Sequence, residues 1–266
     1  MTPWRPGKDW PFIALLSVFA GGYAALLLAM LVRSSTAVSV EDLLGAMASR
    51  EIRHAIGLSL VACTITAGLS LVIATPIAYV LSRFSFRGRT VLDTLFDIPL
   101  VLPPLVVGLF LLLLFQTHLP GGTLNDWLPI TYTAGAVIVA QTTIGCAFAL
   151  RTMRSVFDQL GDRGERVAMT LGCNRWQAFR LVALPAASRG MVAAATLVWA
   201  RSMGEFGPIL VFAGATRQRT EVLPTTVFLE LSIGNVPAAV AVSLLMVVLS
   251  IVILLALRIC GERMPR

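Results

Sequence analysis

No charged residue occurs between positions 55 and 82, and nothing else in the chain limits its fold so strongly. A backbone in hydrocarbon finds no water to bond, so an apolar run that crosses a bilayer must satisfy itself as a helix or a closed barrel. About 20 apolar residues are needed to cross. Five further segments reach that length: 12–32, 98–116, 131–150, 190–214 and 237–257. All are too long for barrel strands and lack the two-residue alternation of a barrel. The expected fold is therefore an all-α integral membrane protein with six transmembrane helices. Composition agrees, with 57% hydrophobic and 13% charged residues, where soluble domains carry about 25% charge. The run after Arg5 and Lys8 is too long for a signal peptide and lacks a small-residue cleavage site, so it reads as an uncleaved first helix.

The net charge of +7 would point to nucleic acid in a soluble protein. Here the cations follow topology instead. Alternate gaps hold 15 cations (Arg5, Lys8; Arg83, Arg87, Arg89; Arg151, Arg154, Arg163, Arg166, Arg175, Arg180, Arg189; Arg258, Arg263, Arg266), against 5 on the other side (Arg33, Arg50, Arg53, Arg217, Arg219). Cytoplasmic loops carry the excess of Arg and Lys, which predicts a multi-pass inner-membrane protein with both termini in the cytoplasm. Cys63, Cys146, Cys173 and Cys260 are scattered without metal or disulfide spacing and read as packing residues. His54 and His118 stand alone near span ends. No Walker loop is present, no metal ligand set, and no nucleophile–base arrangement, so neither catalysis nor a cofactor bound by this chain is expected.

Residues 151–189 are too long and too patterned for a simple connection. Ser155 and Asp158 are expected to cap short helices, and Val156, Phe157, Leu160, Val167, Ala168 and Leu171 recur at helical spacing. Gly172 interrupts the pattern. Asn174 can cap a second helix over 175–182 that Pro185 ends, with Trp176 and Phe179 three apart on one face. Such a basic helix pair suits either an anionic leaflet or a docking partner.

The string Glu165-Arg-Val-Ala-Met-Thr-Leu-Gly172, then nine residues, then Val182-Ala-Leu184-Pro185 resembles the EAA loop of ABC importer permeases. The Gly-to-Pro spacing matches, and Ala168 holds the second Ala position. Glu165 stands one place before the usual Glu, where Arg166 is found. The resemblance implies the transmembrane domain of a type I ABC importer with a cytoplasmic coupling helix. Its core would run over 54–258 with the EAA loop at about 155–185, preceded by a tail, first helix and external loop (1–53) and followed by a short tail (259–266). It implies ATPase coupling through Glu165, Ala168, Gly172, Trp176, Phe179, Leu184 and Pro185, with Trp176 and Phe179 as apolar anchors and Arg175 and Arg180 as rim charges. ATP and Mg would be used by separate ATPase subunits. A substrate-binding protein would dock outside, and the permease would pair with itself.

The fifth segment holds Arg201-Ser-Met-Gly204-Glu205-Phe206-Gly207-Pro208. Charges inside a membrane helix are expensive and face the bundle interior or water. Arg201 and Glu205 are four apart, and two readings stay open: a self-neutralising pair, or residues that line or gate a path. With Phe212-Ala-Gly214 and Arg219-Thr-Glu-Val-Leu-Pro224, this string is similar to the molybdate branch of the family, with sulfate permeases close by. That resemblance implies import of an oxyanion, molybdate or tungstate before sulfate. The third segment opens Asp97-Ile-Pro-Leu-Val-Leu-Pro-Pro; Pro99, Pro103 and Pro104 remove backbone donors and bend the entry. Pro103, Pro104, Arg201, Ser202, Gly204, Glu205, Phe206 and Gly207 are thus the expected path or gate residues. The competing classes are an ion-coupled secondary transporter using Arg201 and Glu205, and a scaffold that only anchors a partner.

Overall fold

The computed structural model describes residues 10–36, 38–119 and 122–262. The expectations placed on Arg5, Lys8, Arg263 and Arg266 lie outside them, as do those on the side chains of Arg258 and Cys260. The chain begins α1 (Trp10–Thr36), α2 (Val40–Ala48), α3 (Arg50–Arg83), α4 (Arg89–Val101) and α5 (Pro104–Gln116). A short antiparallel ribbon, β1 (His118–Leu119) with β2 (Gly122–Thr123), leads to α6 (Leu124–Trp127). Then come α7 (Ala134–Leu160), α8 (Arg163–Thr170), α9 (Arg175–Ala178), a π-helical turn over Phe179–Ala183, α10 (Leu184–Ala186) and α11 (Ser188–Met203). The chain closes with α12 (Gly207–Phe212), α13 (Leu223–Ser232) and α14 (Val236–Glu262).

Four of these helices, α1, α3, α7 and α14, are long and apolar enough to cross a membrane. Two bent pairs bring the number to six if each counts as one span: α4 with α5, at 111°, and Arg175–Ala186 with α11, at 66°. The expected bend at the entry of the third span is thus a full break between two short helices. Consecutive prolines at 103 and 104 hold Leu102 and Pro103 extended, with ψ of 141° and 131°, because a proline ring forbids helical backbone in the residue before it. The 13 residues of α5 reach only about 20 Å, short of the ~30 Å hydrocarbon. The fifth span is broken too. Helix α11 stops at Met203, Glu205 lies outside any helix, and α12 begins at Gly207. Ser155 and Asp158 do not cap short helices, because α7 continues unbroken to Leu160 and holds both in its interior.

Small residues set the core. Ala55, Ser59, Ala62, Thr66, Ser70, Ala74 and Ala78 recur every three or four positions along α3, and all are buried. On α7 the small residues Ala136, Ala140, Gly145, Ala147 and Ala149 are likewise buried. Such stripes let two membrane helices approach closely and trade surface for dispersion contact; α3 and α7 form the most extensive helix contact in the molecule. Helix α11 lies against both. The three meet at Gly145, where an added Cβ would fall 2.8 Å from Ser70 Oγ and 2.9 Å from Val198 Cγ1. Helix α1 differs: none of its most apolar stretch is buried, and it touches the rest mainly through α14.

Candidate functional site

Two zones gather the residues singled out by sequence. The first lies at the end of the bundle where α3 stops and α7 passes into α8, the end rich in arginine. Gly172 makes the turn there. With φ +96° it closes α8 in a Schellman arrangement: Cys173 N–H donates to Ala168 O at 3.1 Å, and Gly172 N–H to Met169 O at 3.1 Å. That conformation is open to glycine and strained for other residues. Two residues on, Asn174 caps α9 as expected. Asn174 N–H donates to Gln177 Oε1, and Gln177 N–H to Asn174 Oδ1, both at 2.8 Å. A glycine turn and a reciprocal capping box thus fix the angle between α8 and α9.

Pro185 does not end this helix. It sits inside α10, after the π-turn. A proline ring clashes with the carbonyl four residues back in a regular α-helix, and here the preceding turn is widened instead. π-turns of this kind are rare and concentrate at functional sites.

The surface this segment presents is apolar and basic. Leu171 (81%), Trp176 (66%) and Leu181 (65%) are exposed, beside exposed Arg163, Arg166, Arg175 and Arg180. Phe179 is not the second exposed ring expected beside Trp176. It is half-buried, with its centroid 4.5 Å from that of Tyr79 on α3. Sequence reasoning did not mark Leu171 and Leu181 as exposed, because leucines in an amphipathic segment carry no signal that separates surface from core.

Glu165 does not reach this surface. Its side chain is 7% exposed and pairs with Arg83 (8%) at 2.9 Å, and Tyr79 Oη donates to its other oxygen at 2.6 Å. Arg83 Nη1 donates to Phe157 O (2.9 Å) and Ser82 Oγ (3.0 Å), and Nη2 to Gly161 O. Removing one partner of such a buried pair costs about 3–5 kcal/mol, because the other is left as an uncompensated charge. Sequence reasoning missed Arg83 and Tyr79, which stand some 80 residues before their partner.

The second zone is the broken fifth span. Ser202 is buried, and its carbonyl receives Gln141 Nε2–H at 3.0 Å and Glu205 N–H at 3.1 Å. The last carbonyls of a helix have no partner within it, and at membrane depth each must find one; Gln141, itself held by Thr66 Oγ1 at 3.2 Å, meets that need. Glu205 is 2% exposed and lies 2.6 Å from Arg201 Nη1, whose guanidinium stands 5.7 Å from the Phe148 ring centroid. The structure also brings the two helix breaks face to face. A Cβ on Gly207 would lie 2.9 Å from Leu105 N and 3.3 Å from Pro104 C, and one on Gly108 would lie 2.6 Å from Pro208 Cα. Pro103 and Gly204 are exposed, and Phe206 is half-buried 5.3 Å from the Phe228 ring. Farther on, Glu221 is fully buried, and that burial pushes its carboxyl above the ordinary 4.5. Among the described residues no cluster of His, Cys, Asp or Glu is placed to hold a metal.

Residues 69–266 match the family described as "Binding-protein-dependent transport system inner membrane component". The chain is 37% identical over 194 residues to the sulfate transport system permease protein CysT of Escherichia coli (strain K12), covering 71% of this chain and 69% of that one. It is 33% identical over 177 residues to the molybdenum transport system permease protein ModB of Azotobacter vinelandii, covering 65% and 78%. Its fold matches a chain in the crystal structure of a bacterial alginate ABC transporter in complex with alginate pentasaccharide-bound periplasmic protein, with a TM-score of 0.75 at 16% identity, over 96% of this chain and 95% of that one. The broken spans, the glycine-turned basic segment and these matches agree: the chain belongs to the family of binding-protein-dependent transport inner-membrane components, a multi-pass transport permease that is not itself an enzyme.

Proposed function

We propose that this chain is the pore subunit of an ATP-driven ABC importer that moves a tetrahedral oxyanion, molybdate, into the cell. The observation that carries the reading is the exposed apolar and basic face of the segment from α8 to α10, held at a fixed angle by Gly172 and Asn174. The face lies at the arginine-rich end, which the cation bias assigns to the cytoplasm together with both termini. Trp176, Leu171 and Leu181 fill a groove on an ATPase subunit, with Arg175 and Arg180 at its rim. Aromatic side chains at the centre of an interface supply most of its binding energy. Glu165, Ala168, Phe179, Leu184 and Pro185 stand behind that face. Two copies of the chain form the path, each with two ends to serve: an ATPase inside, which uses ATP and Mg, and a substrate-binding protein outside. Pro103, Pro104, Arg201, Ser202, Gly204, Glu205, Phe206 and Gly207 line or gate the path, where two helix breaks pack together.

The choice of molybdate rests on the strings 201–208, 212–214 and 219–224, and a molybdenum permease relative supports it. Sulfate is the second reading, favoured by the identity to a sulfate permease. The test is uptake into proteoliposomes holding the permease, its ATPase and its binding protein. Labelled molybdate should enter only with ATP, and excess sulfate should compete poorly. Uptake that survives removal of the ATPase and collapses with the membrane potential would mean an ion-coupled transporter. Efficient competition by sulfate would reassign the substrate. Trp176→Ala should weaken ATPase association about 30-fold, the loss of a 2 kcal/mol hot spot.

A further inference from the structure

We infer that Arg83 and Tyr79, at the end of α3, are positioning residues: through Glu165 they lock α8 and the end of α7 to α3, so that a displacement of the ATPase-facing segment carries α3 with it as one rigid body. The inference rests on the proposed function for what drives the displacement.

Three observations support the lock. First, Arg83 spends every nitrogen of its guanidinium on other elements or its own helix end: Nε on Glu165, Nη1 on Ser82 and the Phe157 carbonyl, Nη2 on the Gly161 carbonyl. Phe157 and Gly161 lie at the C-terminal end of α7, where carbonyls have no intrahelical partner. One planar fork of fixed geometry therefore caps α7 and holds the first turn of α8. Second, Glu165 is saturated from the same helix, because Tyr79 takes the oxygen that Arg83 leaves. Third, the Tyr79 ring stands between Phe157 on α7 and Phe179 in the π-turn, at 5.6 Å and 4.5 Å. Residues 79 and 83 thus touch both sides of the Gly172 turn. A push on α9 reaches α3 through Phe179 and Tyr79, and a push on α8 reaches it through Glu165 and Arg83.

A residue that only stabilises the fold changes how much complex forms, not the transport obtained per ATP. The test therefore compares uptake per ATP hydrolysed in the reconstituted full complex. Glu165→Ala is expected to lose about tenfold or more in that ratio, while Glu165→Gln, which keeps an acceptor for Arg83 but leaves its charge unbalanced, falls between Glu165→Ala and the wild type. Tyr79→Phe keeps the ring and removes one donor; a fall of about two- to fivefold is expected, and it decides the matter if Glu165→Ala does not assemble. A wild-type ratio in both Glu165→Ala and Tyr79→Phe would overturn the lock. Trypsin cleavage at Arg163 and Arg166 in the permease alone reads the same joint without the ATPase. It should quicken most in Glu165→Ala and less in Glu165→Gln, and equal rates in all three proteins would overturn the lock. If the wild-type permease takes up the anion with no ATPase present, the proposed function falls while the trypsin comparison still decides the lock.

Discussion

Arg83 and Glu165 meet at 2.9 Å, and Arg201 and Glu205 at 2.6 Å, yet the two pairs share little beyond distance. The first joins residues 82 apart in sequence. Both its side chains are buried, and every remaining polar atom is occupied. The second joins residues four apart, across the end of one helix. Its glutamate is buried, its arginine is one-third exposed at 34%, and Glu205 Oε2 lies near the guanidinium without a well-formed hydrogen bond. Coulomb attraction serves both pairs, but only the first repays desolvation with a complete set of hydrogen bonds. The difference teaches that a pair visible in the sequence as i, i+4 can be a local neutralisation, while the pair that ties the molecule together has no local signature.

The comparison predicts unequal consequences. Arg83→Ala should destabilise the purified permease by about 3–5 kcal/mol in thermal unfolding, since Glu165 is left charged and enclosed. Arg201→Ala should cost about 2 kcal/mol, and adding Glu205→Ala should recover at least half of that, because the stranded charge goes with it. Equal losses in Arg83→Ala and Arg201→Ala would break the contrast. Wild-type uptake by the Arg201→Ala, Glu205→Ala double variant would remove these two residues from the path and leave a structural pair.

The smallest effect concerns a third carboxylate, exposed in α6, where it completes the capping box with Thr123. Asp126 accepts from Thr123 N–H at 2.7 Å and Thr123 Oγ1–H at 2.8 Å, and the backbone bond, ahead of the hydroxyl bond, holds its pKa below the ordinary 3.8. A depressed folded pKa gives stability that is present above the unfolded value and lost as pH falls through the folded one. Protection of the Thr123 amide against hydrogen exchange should therefore hold at neutral pH and fade only as the pH falls below the ordinary 3.8. Constant protection across that window would show that the carboxylate does not fix the turn.

What was legible in the sequence follows the range of the interactions. The uncharged run over 55–82 lies wholly inside α3, which starts earlier at Arg50, because burial of apolar surface in a bilayer needs no particular partner. The Gly172 turn and the Asn174 cap were legible because their hydrogen bonds close within five residues. The Pro103–Pro104 bend was legible as a bend, but not as a 111° reversal, whose angle depends on Gly207 and Pro208 packing against it from a hundred residues away. The Glu165 tie to Arg83 and the Gln141 bond to Ser202 O span 82 and 61 residues, and nothing near either residue announces its partner. Phe179 shares a face with Trp176 as helical spacing predicts, with ring centroids 5.8 Å apart, but Tyr79 of α3 packs on it at 4.5 Å and covers it, a partner a hundred residues away that no local spacing announces.

Gly145 gives the bundle a mechanical character. At that glycine α7 meets α3 and α11 with no space for one more carbon. Axial sliding by one turn would bring Gln141 or Ala149 into the gap, where not even the Cβ of Ala149 fits. Rotation about the point displaces nothing there. A crossing this tight pins the register of three helices at one point, so the arginine-rich end and the far end of the bundle are held to the same alignment by a single missing side chain.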